Sequence, residues 1–457
     1  MGGSSAVGPY ETFPLQSGNS APLYLITFDK NGQCQSPLTL AHLLQEAGTG
    51  KYTDVHVFSH GWNNVFKDAV HLYREFFGIY FQLRDRLKLS DPARYRPLVV
   101  GVIWPSTWMV PPWEATPKIA ALPSAAERDE AATSEQQNLQ EVTSEVEASK
   151  AQRLYELVER GATLQAEEAH EFASILLPIY QRSARDGSQQ ELGDSAPSEL
   201  TADDLLALWR KISPTPHVGG QKPGFARDTQ EPELRAAGGP LTWLDPRGPV
   251  RVASVLIMKD RAGVVGYNGV GPFLLQKLLG QNLRVHAIGH SFGCKVMLSA
   301  LCCRSPVEPA ASLLLLQPAI SYLCFGDNID GKGRAGGYRA ALKYVQKPIY
   351  STFSSHDVPL TRLFHLAVVR DSDWGEIRIA GVPPSKFAAL GGFGPGGLRT
   401  GESNTVDVTV PGTKYPDNVG YQVIALNGSG GQIKGHGDVA TQFTAWAHLN
   451  LVSGEQL

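Results

Sequence analysis

The chain has 457 residues, a formal net charge of −3, 42% hydrophobic and 19% charged residues, a balance that excludes a disordered or fibrous protein and gives no basic footprint for nucleic acid or an acidic membrane surface. That length accommodates two or three domains, or one large α/β sheet carrying an insertion. No apolar run approaches the roughly 18 to 20 residues that span a bilayer, and five scattered cysteines (Cys34, Cys294, Cys302, Cys303, Cys324) point to reduced thiols rather than a disulfide framework or metal site.

Residues 1–20 are rich in Gly and Ser and are expected to be flexible. They begin with neither the basic and apolar regions of a secretory signal nor a myristoylation site, Ala6 standing where Ser or Thr is needed, so a cytoplasmic location is expected. The first strand is predicted over 22–28, a helix over 36–47, and a buried strand over 53–59 that runs into His60-Gly61-Trp62-Asn63. A helix over 67–87 and a strand over 97–104, stopped by Pro105, follow. Strand, helix, strand in this order implies a parallel sheet.

Between 106 and 249 the composition shifts to Glu, Ala, Gln and Ser on helical spacing, which reads as an inserted helical, cap-like module between core segments 21–105 and 250–457. Ser124 with Glu127 predicts a helix running to about residue 160, 168–182 carries an apolar face, Thr201 with Asp204 starts a helix ending near 212, and 214–249 reads as loop. Residues 251–279 fit both strand propensity and helical spacing; a parallel sheet needs a crossover helix there. Strands are then predicted at 284–288, 312–317, 348–354 and 421–426, accessory strands at 374–382 and 405–410 around a glycine-rich loop at 391–397, and a closing helix over 439–452.

One stretch carries chemistry. Gly289-His290-Ser291-Phe292-Gly293 matches G-x-S-x-G, in which a serine sits on a sharp strand-to-helix turn with its hydroxyl exposed. With 47 glycines chance alone supplies about 0.3 such matches, so the setting decides. Val285, Ala287 and Ile288 precede it as a strand, and Val296, Met297 and Ala300 follow at helical spacing. The partners of such a serine follow as acid, then histidine. Asp357, directly after the 348–354 strand, is the candidate acid, with Asp327 and Asp330 as second choices; His436, in the flexible Lys434-Gly-His-Gly-Asp438 loop, is the candidate base. His365 and His448 fall on apolar helices and read as structural. The backbone N–H groups of Trp62 and Phe292, with that of Asn63 as second choice, are candidate oxyanion donors, and His60, Gly61, Asn63, Trp104 and His290 are expected to border the substrate pocket. No Cys/His spacing resembles a zinc site, and no cofactor is required.

Together Phe58-Ser-His-Gly-Trp-Asn63, Val102-Ile-Trp-Pro105, Gly289-His-Ser-Phe-Gly293, Asp357 and His436 resemble the α/β-hydrolase superfamily in its esterase and lipase branch, over residues 23–452 apart from the insertion. That resemblance implies an eight-stranded, mostly parallel sheet and acyl transfer through Ser291 as nucleophile, His436 as base and Asp357 as its orienter. The expected substrate is a small carboxylic ester with an apolar group, partly enclosed by Trp62, Trp104, Phe292 and the insertion. Amide or peptide hydrolysis would use the same groups, and a non-catalytic scaffold binding a partner through the insertion is the remaining alternative.

Overall fold

The computed structural model of the chain describes residues 7–16, 18–62, 66–89, 91, 93–106, 139–140, 142–190, 200–212, 244–329, 331–363, 388–416 and 420–453. Its inner strands are apolar on both faces, so each must be covered from both sides. Nine strands form one sheet: β1 (Glu11–Pro14), β2 (Ser20–Thr27), β3 (Asp54–Ser59), β4 (Pro97–Ile103), β5 (Arg284–His290), β6 (Ser312–Leu316), β7 (Ile349–Phe353), β8 (Ser403–Asp407) and β9 (Val423–Asn427), in the order β1-β2-β4-β3-β5-β6-β7-β9-β8. All neighbours are parallel except β1 and β2. The fold is thus α/β, with nine strands where eight were implied.

Side-chain alternation assigns the two covering layers. Val55, Val57, Leu98, Val100, Val285, Ala287, Leu313 and Leu315 face α1 (Pro37–Ala47), a helical run ending at residue 279, and the helix Phe292–Cys302, while Phe58, Val99, Ile288, Leu314 and Leu426 face α2 (Phe66–Arg86) and the terminal helix Gln442–Ser453. At Gly101 the second layer comes close: a Cβ there would lie 2.5 Å from the Tyr73 ring.

Several expectations are corrected. Residues 11–14, within the segment expected to be flexible, form edge strand β1, held by Phe13 against Phe77 and Phe81; a single half-buried aromatic on a four-residue strand leaves little periodic signal. The accessory strand expected at 405–410 is β8, two residues earlier, while 374–382 lies outside the described residues. The helix expected to run to about 160 is interrupted: 145–147 is a turn, and α3 (Ala148–Glu159) starts afresh after Glu147 at φ −55, ψ 135. Thr143 Oγ1 donates to the carbonyl of Gln140 at 2.9 Å just before that break, the local competition for backbone groups that favours helix ends.

α4 (Ala166–Gln190) and α5 (Ala202–Ile212) follow. Thr201 caps α5 reciprocally with Asp204, its N–H and hydroxyl donating to Asp204 Oδ2 at 2.9 and 2.6 Å while the N–H of Asp204 donates back at 3.2 Å. The expected loop up to 249 ends early, because α6 (Arg247–Val264) begins ahead of Pro249, which the first helical turn tolerates. Val250, Ala253, Leu256 and Ile257 of α6 pack with Leu154, Phe172, Leu176 and Trp209 of the preceding helices. Further on, Met258, Ala262 and Val265 join the main core. One helix therefore belongs to both units. It continues through a π-helical stretch, Val265–Leu275, into α7 (Gln276–Leu279); Pro272 has no N–H for an i→i−4 bond, which the wider turn accommodates. Arg261 Nη1 donates to the carbonyl of Pro105, just past β4, at 3.3 Å, so the earlier half of α6 and its partner helices stand at the carboxyl edge of the sheet. Among the described residues no helix is long and apolar enough to cross a membrane, and none of the five cysteines forms a disulfide.

At the opposite edge, on the α2 side, lies a buried polar network. His56 shares hydrogen bonds with His448 at 3.0 Å and Tyr95 at 2.9 Å and stacks on His286, ring centres 4.8 Å apart; His286 Nε2–H donates to Asp54 at 3.0 Å and accepts from the Ser312 hydroxyl at 2.8 Å. Burial holds the imidazoles of His56, His286 and His448 below the ordinary histidine range. These groups stay neutral in the folded chain while the unfolded chain takes up protons below about pH 6.5, so their contribution to stability is complete above that pH and falls as pH drops. Tm is expected to be level above about pH 7 and to decline steadily between about pH 6.5 and pH 5. A flat profile across that range would contradict the assignment. Asp54 does not confuse the test: burial raises its pKa, hydrogen bonds from His286 and Arg284 bring it to about 2, and its own contribution is lost only between 3.8 and that value.

Candidate active site

β5 ends at His290, and the helix α8 (Phe292–Cys302) starts two residues later, so the direction change falls on Ser291. It is held at φ 54, ψ −124, a region that costs a residue with a side chain about 1–3 kcal/mol. Glycines make this turn possible. A Cβ on Gly289 would lie 2.6 Å from Cys294 Cα, and one on Gly293 would run into the carbonyl oxygens of Ser59 and His60. The turn is fastened by Ser291 N–H to the Leu316 carbonyl at 3.0 Å and by Ala319 N–H to the Ser291 carbonyl at 3.3 Å.

Chain segments far apart in sequence converge on this serine. His436 Nε2 lies 2.8 Å from Ser291 Oγ, and its Nδ1 lies 2.8 Å from Asp357 Oδ2. With Nδ1–H donating to the carboxylate, Nε2 is left as an acceptor for the serine hydroxyl. Asp357, fully buried after β7, also accepts the N–H of Leu360 on Oδ1 at 3.1 Å; it starts a helical turn and holds an imidazole at once. Its described alternative is placed elsewhere. Asp327 is paired with Arg399 at 2.8 Å and lies 3.7 Å from Arg339, while Asp330 and His365 lie outside the described residues. His448 belongs to the buried network at the far edge.

The loop after β3 passes directly against the serine: a Cβ on Gly61 would lie 2.6 Å from both Ser291 Cβ and His290 Nδ1. Trp62 packs beside Phe292, ring centres 6.1 Å apart, and the N–H of Phe292 is a first-turn donor with no intrahelical acceptor. Asn63 lies outside the described residues. On the expectation that this loop supplies an oxyanion donor for ester hydrolysis, Gly61→Ala should push it off the serine and lower turnover about 100-fold, a loss of the size of one misplaced donor, with folding retained. Turnover within a few-fold of wild type would show that the loop does not serve Ser291.

His60 and Trp104, expected to border the substrate pocket, are turned into the protein interior. His60 is fully buried and Trp104 is 2% exposed; their rings stack 5.6 Å apart, Trp104 N–H donates to His60 Nε2 at 3.3 Å, and His60 Nδ1–H donates to the Gly61 carbonyl at 2.9 Å. His60 N–H in turn donates to Tyr73 OH, which donates to Val102 O at 2.6 Å. Burial pushes the His60 pKa down to about 4, and the neutral imidazole braces the 60–62 loop from behind. His290 is a brace as well: it is 6% exposed, burial holds it well below the ordinary range, and its Nε2–H donates to the His436 carbonyl at 3.0 Å. Gln317 carries no motif; a polar residue closing the apolar run 313–316 ahead of Pro318 is its only local sign, yet it is fully buried behind His436.

Among the described residues no group of three or more His, Cys, Asp or Glu side chains is placed to hold a metal ion. A cavity of about 680 Å³ lined by Tyr52, Arg94, Arg96, Arg284 and Gln346 opens at the amino edge of the strands and does not touch Ser291. Compared with protein families, curated proteins and solved structures, the chain matches none of them.

Proposed function

We propose that this chain is a serine hydrolase of the α/β-hydrolase kind that cleaves carboxylic esters through an acyl-enzyme. The observation carrying this reading is the pair of 2.8 Å contacts that links Ser291 Oγ through His436 to the buried carboxylate of Asp357, on a serine held in a strained strand-to-helix turn. A surface loop histidine and a helix-capping aspartate have no reason to meet a serine in that order.

In the first half-reaction Ser291 Oγ attacks the ester carbonyl carbon as its proton passes to His436 Nε2, and Asp357 stabilises the resulting imidazolium. The negative charge on the carbonyl oxygen faces the N–H groups of Phe292 and Trp62 and the positive end of α8. Collapse of the tetrahedral species breaks the bond to the alkoxy oxygen, which leaves with the proton from His436 as an alcohol. Water then enters, gives a proton to His436 and attacks the acyl carbon; collapse releases the carboxylic acid and returns the proton to Ser291. A general base of this kind contributes about 10²- to 10⁴-fold in rate. The helices standing at the carboxyl edge act as a cap that encloses the apolar part of the ester beside Trp62 and Phe292.

Labelling of the purified protein with a fluorophosphonate probe, with turnover of p-nitrophenyl esters of increasing acyl length, tests the proposal. Stoichiometric labelling and a preferred chain length are expected; a wild-type protein that neither labels nor turns over any ester of the series would overturn it.

A further inference from the structure

Gln317 stands at the carboxyl end of β6, between the serine strand β5 and β7. Its φ is 38°, in the left-handed region that a side-chain-bearing residue keeps only where its surroundings hold it. Here the side chain is held on all sides. The backbone N–H of Gln317 donates to Thr352 Oγ1 at 2.9 Å, and the Thr352 hydroxyl donates to Gln317 Oε1 at 3.3 Å. The Nε2 amide group faces three carbonyl oxygens of the base loop, those of Gly435, His436 and Asp438, at 3.2, 3.3 and 3.4 Å. This fixes which end of the amide points where, because a flipped side chain would set Oε1 against three acceptors. The flanking turn holds the serine: Leu316 accepts from Ser291 N–H and Ala319 donates to its carbonyl. Thr352 lies on β7, whose exit carries Asp357.

We propose that Gln317 is a positioning residue that ties the His436 loop to the serine turn and to the strand leading to Asp357, so that the imidazole stays in register with Ser291 Oγ. The catalytic consequence rests on the hydrolase reading above, whereas the hold on His436 does not. Gln317→Leu removes the amide at similar bulk. Gln317→Glu keeps the shape but turns a carboxylate toward three carbonyl oxygens, and its effect is the larger one. Thr352→Val leaves the amide facing the base loop but releases Oε1 and takes the acceptor from the Gln317 backbone N–H.

Both Gln317 variants are expected to lose roughly 10- to 100-fold in kcat, the cost of a misplaced catalytic group, with KM within about twofold and a matching fall in the rate of fluorophosphonate labelling. Thr352→Val shifts the same readouts less. The second measurement is the downfield proton NMR signal of the His436 Nδ1–H bound to Asp357, identified by its loss in His436→Ala; it broadens or disappears in the Gln317 variants. A folded Gln317→Leu with wild-type kcat and an unchanged signal overturns the proposal, as does a fall in kcat that only tracks the folded fraction. Should the Gln317 variants not fold, unchanged turnover and signal in Thr352→Val overturn it instead. A wild type that neither labels nor turns over esters, but whose signal responds to Gln317, leaves the hold on His436 standing and removes the hydrolase reading.

Discussion

Ser291→Ala is expected to abolish fluorophosphonate labelling and to lower ester turnover by about 10⁴- to 10⁶-fold, while Tm stays within about 2 °C of wild type. The loss is large because Ser291 Oγ is the atom that forms the acyl bond in the proposed mechanism, and the hydroxyl 2.8 Å from His436 Nε2 has no substitute at that position. Stability changes little because the backbone contacts of Ser291 with Leu316 and Ala319 involve no side-chain atom, and alanine at φ 54 carries the strain that serine already carries. His436→Ala should fall to a similar level, and the double variant no lower, since the two residues act as one unit. Turnover surviving in Ser291→Ala would place the chemistry on another residue, and an unlabelled but active wild type would exclude an acyl-serine.

Asp357→Asn is expected to cost about 10³- to 10⁴-fold in kcat with a small change in Tm. The reason is specific to this turn. Asp357 Oδ1 accepts the N–H of Leu360 at 3.1 Å, so an asparagine keeps that bond only by placing its oxygen there and its NH₂ toward His436. The imidazole then accepts at Nδ1, carries its proton on Nε2, and can no longer take the serine proton. Asp327→Asn supplies the contrast: that carboxylate pairs with Arg399 on the surface, and turnover within about twofold of wild type is expected. A reversed pattern, with Asp357→Asn active and Asp327→Asn dead, would move the acid to the turn after β6.

Much of the fold and the residues of the candidate site were readable along the chain because their signals are local. The apolar runs of β3, β4, β5 and β6 reflect strands covered on both faces, and the glycines at 289 and 293 mark backbone approaches closer than a Cβ permits. Asp357 and His436 stood out because each lies in the loop that follows a strand, at the edge where α/β sites collect. Signals that depend on partners distant in sequence were misread or missed. His60 looked like a pocket residue because it adjoins Gly61; the stacking of Trp104 and the Tyr73 hydroxyl, 44 and 13 positions away, turn it inward instead. Gln317 showed only a polar residue closing an apolar run, since its three carbonyl partners lie 118 to 121 residues further on.

The helical region shows the same division. Apolar spacing was enough for α4, and reciprocal capping chemistry for the start of α5, since both are contacts within a turn or two of helix. Nothing local could say that α6 begins two residues before Pro249, that it serves two hydrophobic clusters, or that it widens into a π-helix at 265. Residue types and their order along the chain mark out strands, turns and the candidates for chemistry, because those depend on near neighbours. Which imidazole meets a hydroxyl and which is walled in was settled by packing, because hydrogen-bond distances between residues 145 and 79 positions apart exist only once the sheet has closed.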